Sequence, residues 1–156
     1  MPFFKLLSAY DQTYRKFGFI LRQRDCLAAV NAFPMDYGVY TISDAISEEV
    51  LYVGKSGELL NAYSADTYRG DPTSVTWRSQ SLHGRIAARH SKRERREAFY
   101  KRIMMHDKIA KLSFQCWVLC RRDTKIYDRF PFEAEADLLG AYLRQYGHLP
   151  RWNRKA

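Results

Sequence analysis

Gly38-Val39-Tyr40-Thr41-Ile42-Ser43 and, after a short polar stretch, Glu49-Val50-Leu51-Tyr52-Val53-Gly54 decide the fold. Both runs are rich in β-branched and aromatic residues, which suit a pleated, half-buried surface. Asp44 to Glu48 between them is polar enough to turn. The pattern predicts a β-hairpin over 38–54. Downstream, Leu112, Phe114, Cys116, Val118 and Cys120 alternate along one face, so 112–120 reads as a third strand.

The flanks read as helices. Leu6, Leu7, Tyr10, Tyr14 and Phe17 recur at helical spacing before Gly18 interrupts, and Leu27, Val30 and Phe33 suggest a second short helix ended by Pro34. Residues 57–81 cluster Gly, Asp, Pro, Ser and Thr and read as a long insertion with little regular structure. A helix is expected from Leu82 to about His90. A second follows Ser91, whose spacing to Glu94 is that of a capping box. One continuous helix would set Arg89, Arg93 and Arg96 on the apolar stripe of Leu82, Ile86, Tyr100 and Ile103. The last helix spans 132–146 and stops at Gly147 and Pro150. The expected fold is α+β: a small three-stranded antiparallel sheet flanked by helices. An N-terminal helical extension would cover 1–37, and the sheet-bearing unit would cover 38–156, with an insertion at about 57–81.

The 156 residues fit one domain with one core. With 46% apolar and 15% aromatic residues, a mainly disordered chain is excluded. No apolar run approaches the ~18 residues of a membrane helix. The opening Met-Pro-Phe-Phe-Lys-Leu-Leu is too short, and too soon polar, for a signal peptide. Cys26, Cys116 and Cys120 are too scattered for a disulfide framework, so a reducing, cytoplasmic setting is the expectation. Cys116 and Cys120 also stand too far apart along one strand face for easy joint ligation of zinc. The 26 Lys and Arg against 17 acids give +9, a surplus that favours a polyanionic partner.

One acidic residue stands out. Phe132, Ala136, Leu139, Leu143 and Tyr146 make an apolar stripe on the last helix, and Glu135 falls inside it. A carboxylate there is costly unless satisfied: it pairs with one of the many arginines, or it is a metal ligand or a catalytic carboxylate at the stripe's edge.

Several landmarks resemble, in order, those of the GIY-YIG nuclease family. They are Gly38-Val39-Tyr40, Tyr52-Val53-Gly54-Lys55-Ser56, Leu82-His83-Gly84-Arg85, Glu135-Ala136-Asp137-Leu138-Leu139 and Leu149-Pro150-Arg151-Trp152-Asn153. The resemblance covers residues 38–153. It implies hydrolysis of a DNA phosphodiester by water with one divalent cation per site, normally Mg²⁺. Tyr40 would be the general base or would position the water. Tyr52 would support it or bind the scissile phosphate. An ordinary phenol titrates near ~10, so it needs a cation beside it to act at neutral pH; Lys55 and Arg85 are the candidates. Arg85 would also neutralise transition-state charge. Glu135 would hold the metal, and Asn153 would orient the site by hydrogen bonds.

The sequence departs from the family pattern at two points. The arginine often found about eight residues after Tyr-Val-Gly is here Ala62, and the Leu-x-x-Arg pattern returns at Arg85, with Arg78 and Arg89 as alternatives. The position one turn after Arg85 holds Arg89, with His90 one step further round as a candidate base. His83, His106 and His148 read as surface or packing residues. Residues 85–102 carry eight Lys or Arg and two Glu. Arg89, Lys92, Arg93 and Arg96 would track DNA phosphates, or form a solvated face with pairs such as Glu97–Lys101. From the insertion, Arg69, Trp77 and Arg78, with Tyr63 and Tyr68, would enter a groove or stack on bases, or else pack the loop onto the core.

The expected function is a sequence-specific, restriction-type endonuclease on double-stranded DNA, acting as a homodimer at least during cleavage. The alternatives are a non-specific or structure-specific nickase of repair, transfer or phage origin, and a non-catalytic nucleic-acid-binding module.

Overall fold

The chain leaves its first helix sooner than its apolar spacing suggests. In the computed structural model, which describes residues 1–25, 36–56, 58–59, 77–78, 96–120 and 129–153, α1 spans Phe3–Thr13 and buries Phe3, Leu7 and Tyr10. Tyr14 is already extended, its N–H capping the helix on Tyr10 O. Residues Arg15–Arg22 then form a strand, β1. This corrects the helical reading at residues 15–22; the second short helix expected from Leu27, Val30 and Phe33 lies outside the described residues. Tyr14 and Phe17 continue the helical spacing, but Phe17, Phe19 and Leu21 also alternate. In the strand they pair with Cys116, Phe114 and Leu112, and so meet a matching apolar face. A Cβ at Gly18 would stand 2.7 Å from Phe114 O, so the close strand approach there depends on glycine.

The predicted hairpin forms from β2 (Tyr37–Asp44) and β3 (Val50–Lys55). Asp44 shapes its turn: Oδ1 accepts from the backbone N–H of Ile46 at 2.9 Å and of Ser47 at 3.3 Å. Ile42 faces Tyr52 while Ser43 faces Val50, so Leu51 is the extra residue of a β-bulge, and it is fully buried. Two-residue strands β4 (Glu58–Leu59) and β5 (Trp77–Arg78) pair antiparallel inside the region read as an unstructured insertion. Helix α2 covers Arg96–His106. The expected helix at Leu82–His90 and the Ser91/Glu94 cap lie outside the described residues.

Strand β6 (Lys111–Cys120) pairs antiparallel with both β1 and β2. The main sheet therefore has four strands in the order β1-β6-β2-β3, not three. The fold is α+β, with three α-helices among the described residues.

Helix α3 (Pro131–Tyr146) begins with proline in its first turn and ends at Gly147, whose φ of 77° is left-handed. Its buried residues are Pro131, Ala134, Leu138, Ala141 and Tyr142. The expected stripe is thus displaced: Ala136, Leu143 and Tyr146 are exposed. Small residues at 134 and 141 let the helix lie close to the sheet, and Tyr142 meets Phe3 edge-on at 5.3 Å between ring centroids.

Each face of the sheet has its own core. One unites Leu21, Tyr40, Ile42, Leu112, Phe114 and Cys116 with Tyr100 and Met104 of α2. The other unites Val39, Val53, Trp117 and Leu119 with α1 and α3. Among the described residues, no helix is long and apolar enough to cross a membrane.

Candidate active site

Two tyrosines meet on the α2 face of the hairpin. Tyr40 lies opposite Gly54, and Tyr52 opposite Ile42, so the tyrosines are diagonal neighbours on one face. Their ring centroids are 5.9 Å apart with the planes tilted by 41°. Gly54 makes this meeting possible. A Cβ there would stand 2.6 Å from the Tyr40 hydroxyl, 2.5 Å from its Cζ and 2.6 Å from Cε1 of Tyr52. Tyr40 is 3% exposed, whereas Tyr52 is half-buried.

Backbone clamps hold this end of the hairpin. Ser56 is buried and bonds Gly38 twice: its N–H donates to Gly38 O at 2.9 Å, and its Oγ accepts from Gly38 N at 3.1 Å. Gly38 is itself constrained, because a Cβ there would lie 1.8 Å from Trp117 O. Asn153, in the 3₁₀ turn Arg151–Asn153, binds both backbone groups of Val53. Its Oδ1 accepts from Val53 N at 2.8 Å and its Nδ2 donates to Val53 O at 2.9 Å.

That turn is tied down on both sides. Trp152 packs against the Tyr40 core and donates its indole N–H to Asp107 at 2.9 Å. Arg151 donates to Glu49 at 3.0 Å. Hydrogen bonds from the His106 ring and the Trp152 indole hold the Asp107 carboxyl below the usual carboxylate range. The motif around Asn153 was legible in the sequence. Asp107, 45 residues before Trp152 and outside any motif, left no sequence signal.

Glu135 stands on the helix that covers the other face of the sheet. It is half-buried, at the edge of the buried stripe. Asp137, about 160° round the helix, pairs with Arg129 close to Tyr10 of α1. Glu135 therefore occupies the flank of α3 away from that pair. Lys55 shares its face with Val39, on the α3 side. Strand alternation thus sends Tyr52 and Gly54 one way and Val53 and Lys55 the other. A site that unites Tyr52, Lys55, Glu135 and Asn153 has to lie at the rim of β3, an edge strand, and all four residues are half-buried.

Arg69, Arg85, Arg89, His90, Lys92 and Arg93 lie outside the described residues. Trp77 and Arg78 are placed only as the backbone of β5, and Arg96 as the first residue of α2. In the described part of the basic stretch, Lys101 pairs with Glu97 at 3.8 Å and donates to the Asp25 carbonyl. Arg102 lies 5.4 Å from the Phe99 ring centre. His106 bonds Asp107 at 2.8 Å, and His148 packs against Tyr142 and Tyr146, both as surface or packing residues.

Among the described residues, no group of three or more His, Cys, Asp or Glu gathers into a cage. Burial pushes the Cys116 thiol up to about 12, which keeps it a core residue rather than a thiolate ligand.

No protein-family model matches this chain, and neither the curated proteins nor the solved structures yield a match.

Proposed function

We propose that this protein is a Mg²⁺-dependent endonuclease that hydrolyses DNA phosphodiester bonds at the rim of β3, in the restriction-type manner its sequence motifs suggest. The observation that carries this reading is the meeting of the Tyr40 and Tyr52 phenols over Gly54, on a strand whose edge Asn153 holds. The net charge of +9 supplies long-range attraction for the polyanion.

In the reaction, a water oxygen forms a bond to phosphorus, one bridging P–O bond breaks, and the water's proton passes to a base. Tyr52, the more accessible phenol, contacts the scissile phosphate. Tyr40, behind it, orients or deprotonates the water, with Arg85 as the cation that favours phenolate, since Lys55 points to the opposite face of the sheet. Arg85 also neutralises charge on the transition state, and Asn153 keeps β3 in register. Glu135 would hold the cation, which when bound would polarise the phosphate and stabilise the leaving oxygen.

Incubation of supercoiled plasmid with the full chain, with Mg²⁺ or with EDTA, tests the reading. Mg²⁺-dependent discrete fragments are expected. A smear indicates a nuclease without site preference. DNA binding with no cleavage of duplex or single strand overturns the hydrolytic reading in favour of a binding module.

A further inference from the structure

We propose that the groove on the α1 face of the sheet, opposite the two tyrosines, binds a small organic cation: an ammonium group on an apolar stem. The inference does not depend on the hydrolytic reading.

Strand alternation builds the floor of this groove. Two cross-strand rows run through it: Gly18, Gln115 and Thr41 in one, Ile20, Ser113 and Ser43 in the other. Val39, two residues before Thr41, and Trp117, two after Gln115, carry the same face into the core beneath α1 and α3. Beside that core lies a cavity of about 410 Å³, within the ~300–1,000 Å³ of small-ligand sites. Thr41, Ser43, Ser113 and Gln115 all line it, and none of their side chains bonds another described residue. Thr41 decides the case for a ligand. It is 2% exposed, so a group held in the cavity is the partner its hydroxyl lacks.

Charge selects the class of ligand. Three acids line the cavity and, among the described residues, no Lys or Arg does, in a chain of +9. Asp11 is taken: it accepts the Trp117 indole N–H at 2.9 Å and pairs with Lys16 at 3.1 Å. Asp44 and Glu48, at the hairpin turn, pair with no cation among the described residues. Asp44 uses Oδ1 for the turn, which leaves Oδ2. Phe4 and Ile20, 48% and 49% exposed, add apolar wall for a stem. An ammonium carries three N–H donors and no acceptor, so it can serve a carboxylate and a hydroxyl oxygen at once. An anion of the same shape would meet two carboxylates instead.

Titration of the ¹⁵N-labelled full chain with phenethylamine, followed by amide shifts in NMR spectra, tests this. Saturable shifts are expected at Thr41, Ser43, Ser113 and Gln115. 3-Phenylpropanoate, similar in shape and opposite in charge, is expected to leave those amides in place. Thr41→Val keeps the β-branched shape without the hydroxyl. Asp44→Asn/Glu48→Gln removes both charges and keeps the turn acceptor. Each is expected to weaken phenethylamine binding about tenfold, the scale of a hydrogen bond to a charged group. Should Thr41→Val lose amide dispersion, Ser113→Ala carries the same test with the same expected direction. Absence of saturable shifts up to about 10 mM phenethylamine, equal shifts with 3-phenylpropanoate, or wild-type affinity in the folded variants overturns the proposal.

Discussion

Asn153 acts on Val53 as a strand would: across 100 residues of sequence, one side-chain amide accepts from the Val53 N–H at 2.8 Å and donates to its C=O at 2.9 Å. Val53 lies between Tyr52 and Gly54, so the clamp fixes the stretch of β3 on which the tyrosine pair depends. Asn153→Ala removes both bonds and leaves a partly buried N–H and C=O to find other partners. A loss of about 2 kcal/mol is expected in urea unfolding. Asn153→Asp keeps the acceptor but loses the donor, and is expected to fall between wild type and the alanine variant.

Gly54→Ala drives a methyl group into the Tyr40 hydroxyl and the Tyr52 ring, at 2.5–2.6 Å. Tyr40 is buried in the core, and the half-buried Tyr52 packs against it. Destabilisation of about 1–3 kcal/mol is expected from overpacking. A thermal melt checks it. Under the hydrolytic reading, cleavage is also expected to fall in molecules that remain folded.

The Asp107–Trp152 tether gives the fold an acid-sensitive joint. The Asp107 carboxyl is lowered in the folded chain, chiefly by the His106 hydrogen bond and then by the Trp152 indole. A lowered carboxyl contributes stability that is complete above its unfolded pKa near ~3.9 and is lost as pH falls through the folded value. Asp107→Asn is therefore expected to narrow the stability difference between neutral and acid pH, and to shift indole fluorescence. Equal pH profiles for the two proteins would show that the tether carries no such linkage.

Leu138 is fully buried on the face of α3 that meets the sheet. Leu138→Ala is expected to cost about 2–5 kcal/mol in chemical unfolding. Leu143→Ala, at a position that the apolar periodicity puts in the core, is expected to cost well under 1 kcal/mol because Leu143 is exposed.

These two leucines show where the sequence misleads. Large apolar residues at 132, 139, 143 and 146 outweigh Ala134 and Ala141 in any periodicity reading, yet it is the small residues that let α3 approach the sheet. At the N-terminus, the spacing of Leu7, Tyr10, Tyr14 and Phe17 overlaps the alternation of Phe17, Phe19 and Leu21. Only β6, which pairs with the latter set, resolves the overlap in favour of a strand. The hairpin and β6 were legible because alternation and turn chemistry agree there, and Gly147 marked the end of α3 correctly. Of the candidate site, Tyr40, Tyr52 and Gly54 come together on one face of the hairpin. The burial of Ser56 against Gly38 and the tether of Trp152 to Asp107 join distant segments, and no local pattern encodes them.

Glu135→Ala, assayed beside wild type for Mg²⁺-dependent plasmid cleavage and for DNA binding, bears most directly on the proposed chemistry. Cleavage is expected to disappear, by at least about a hundredfold on the scale set by lost electrostatic stabilisation, while DNA binding and the melting temperature stay near wild type. A Glu135→Ala protein that cuts at the wild-type rate would contradict it.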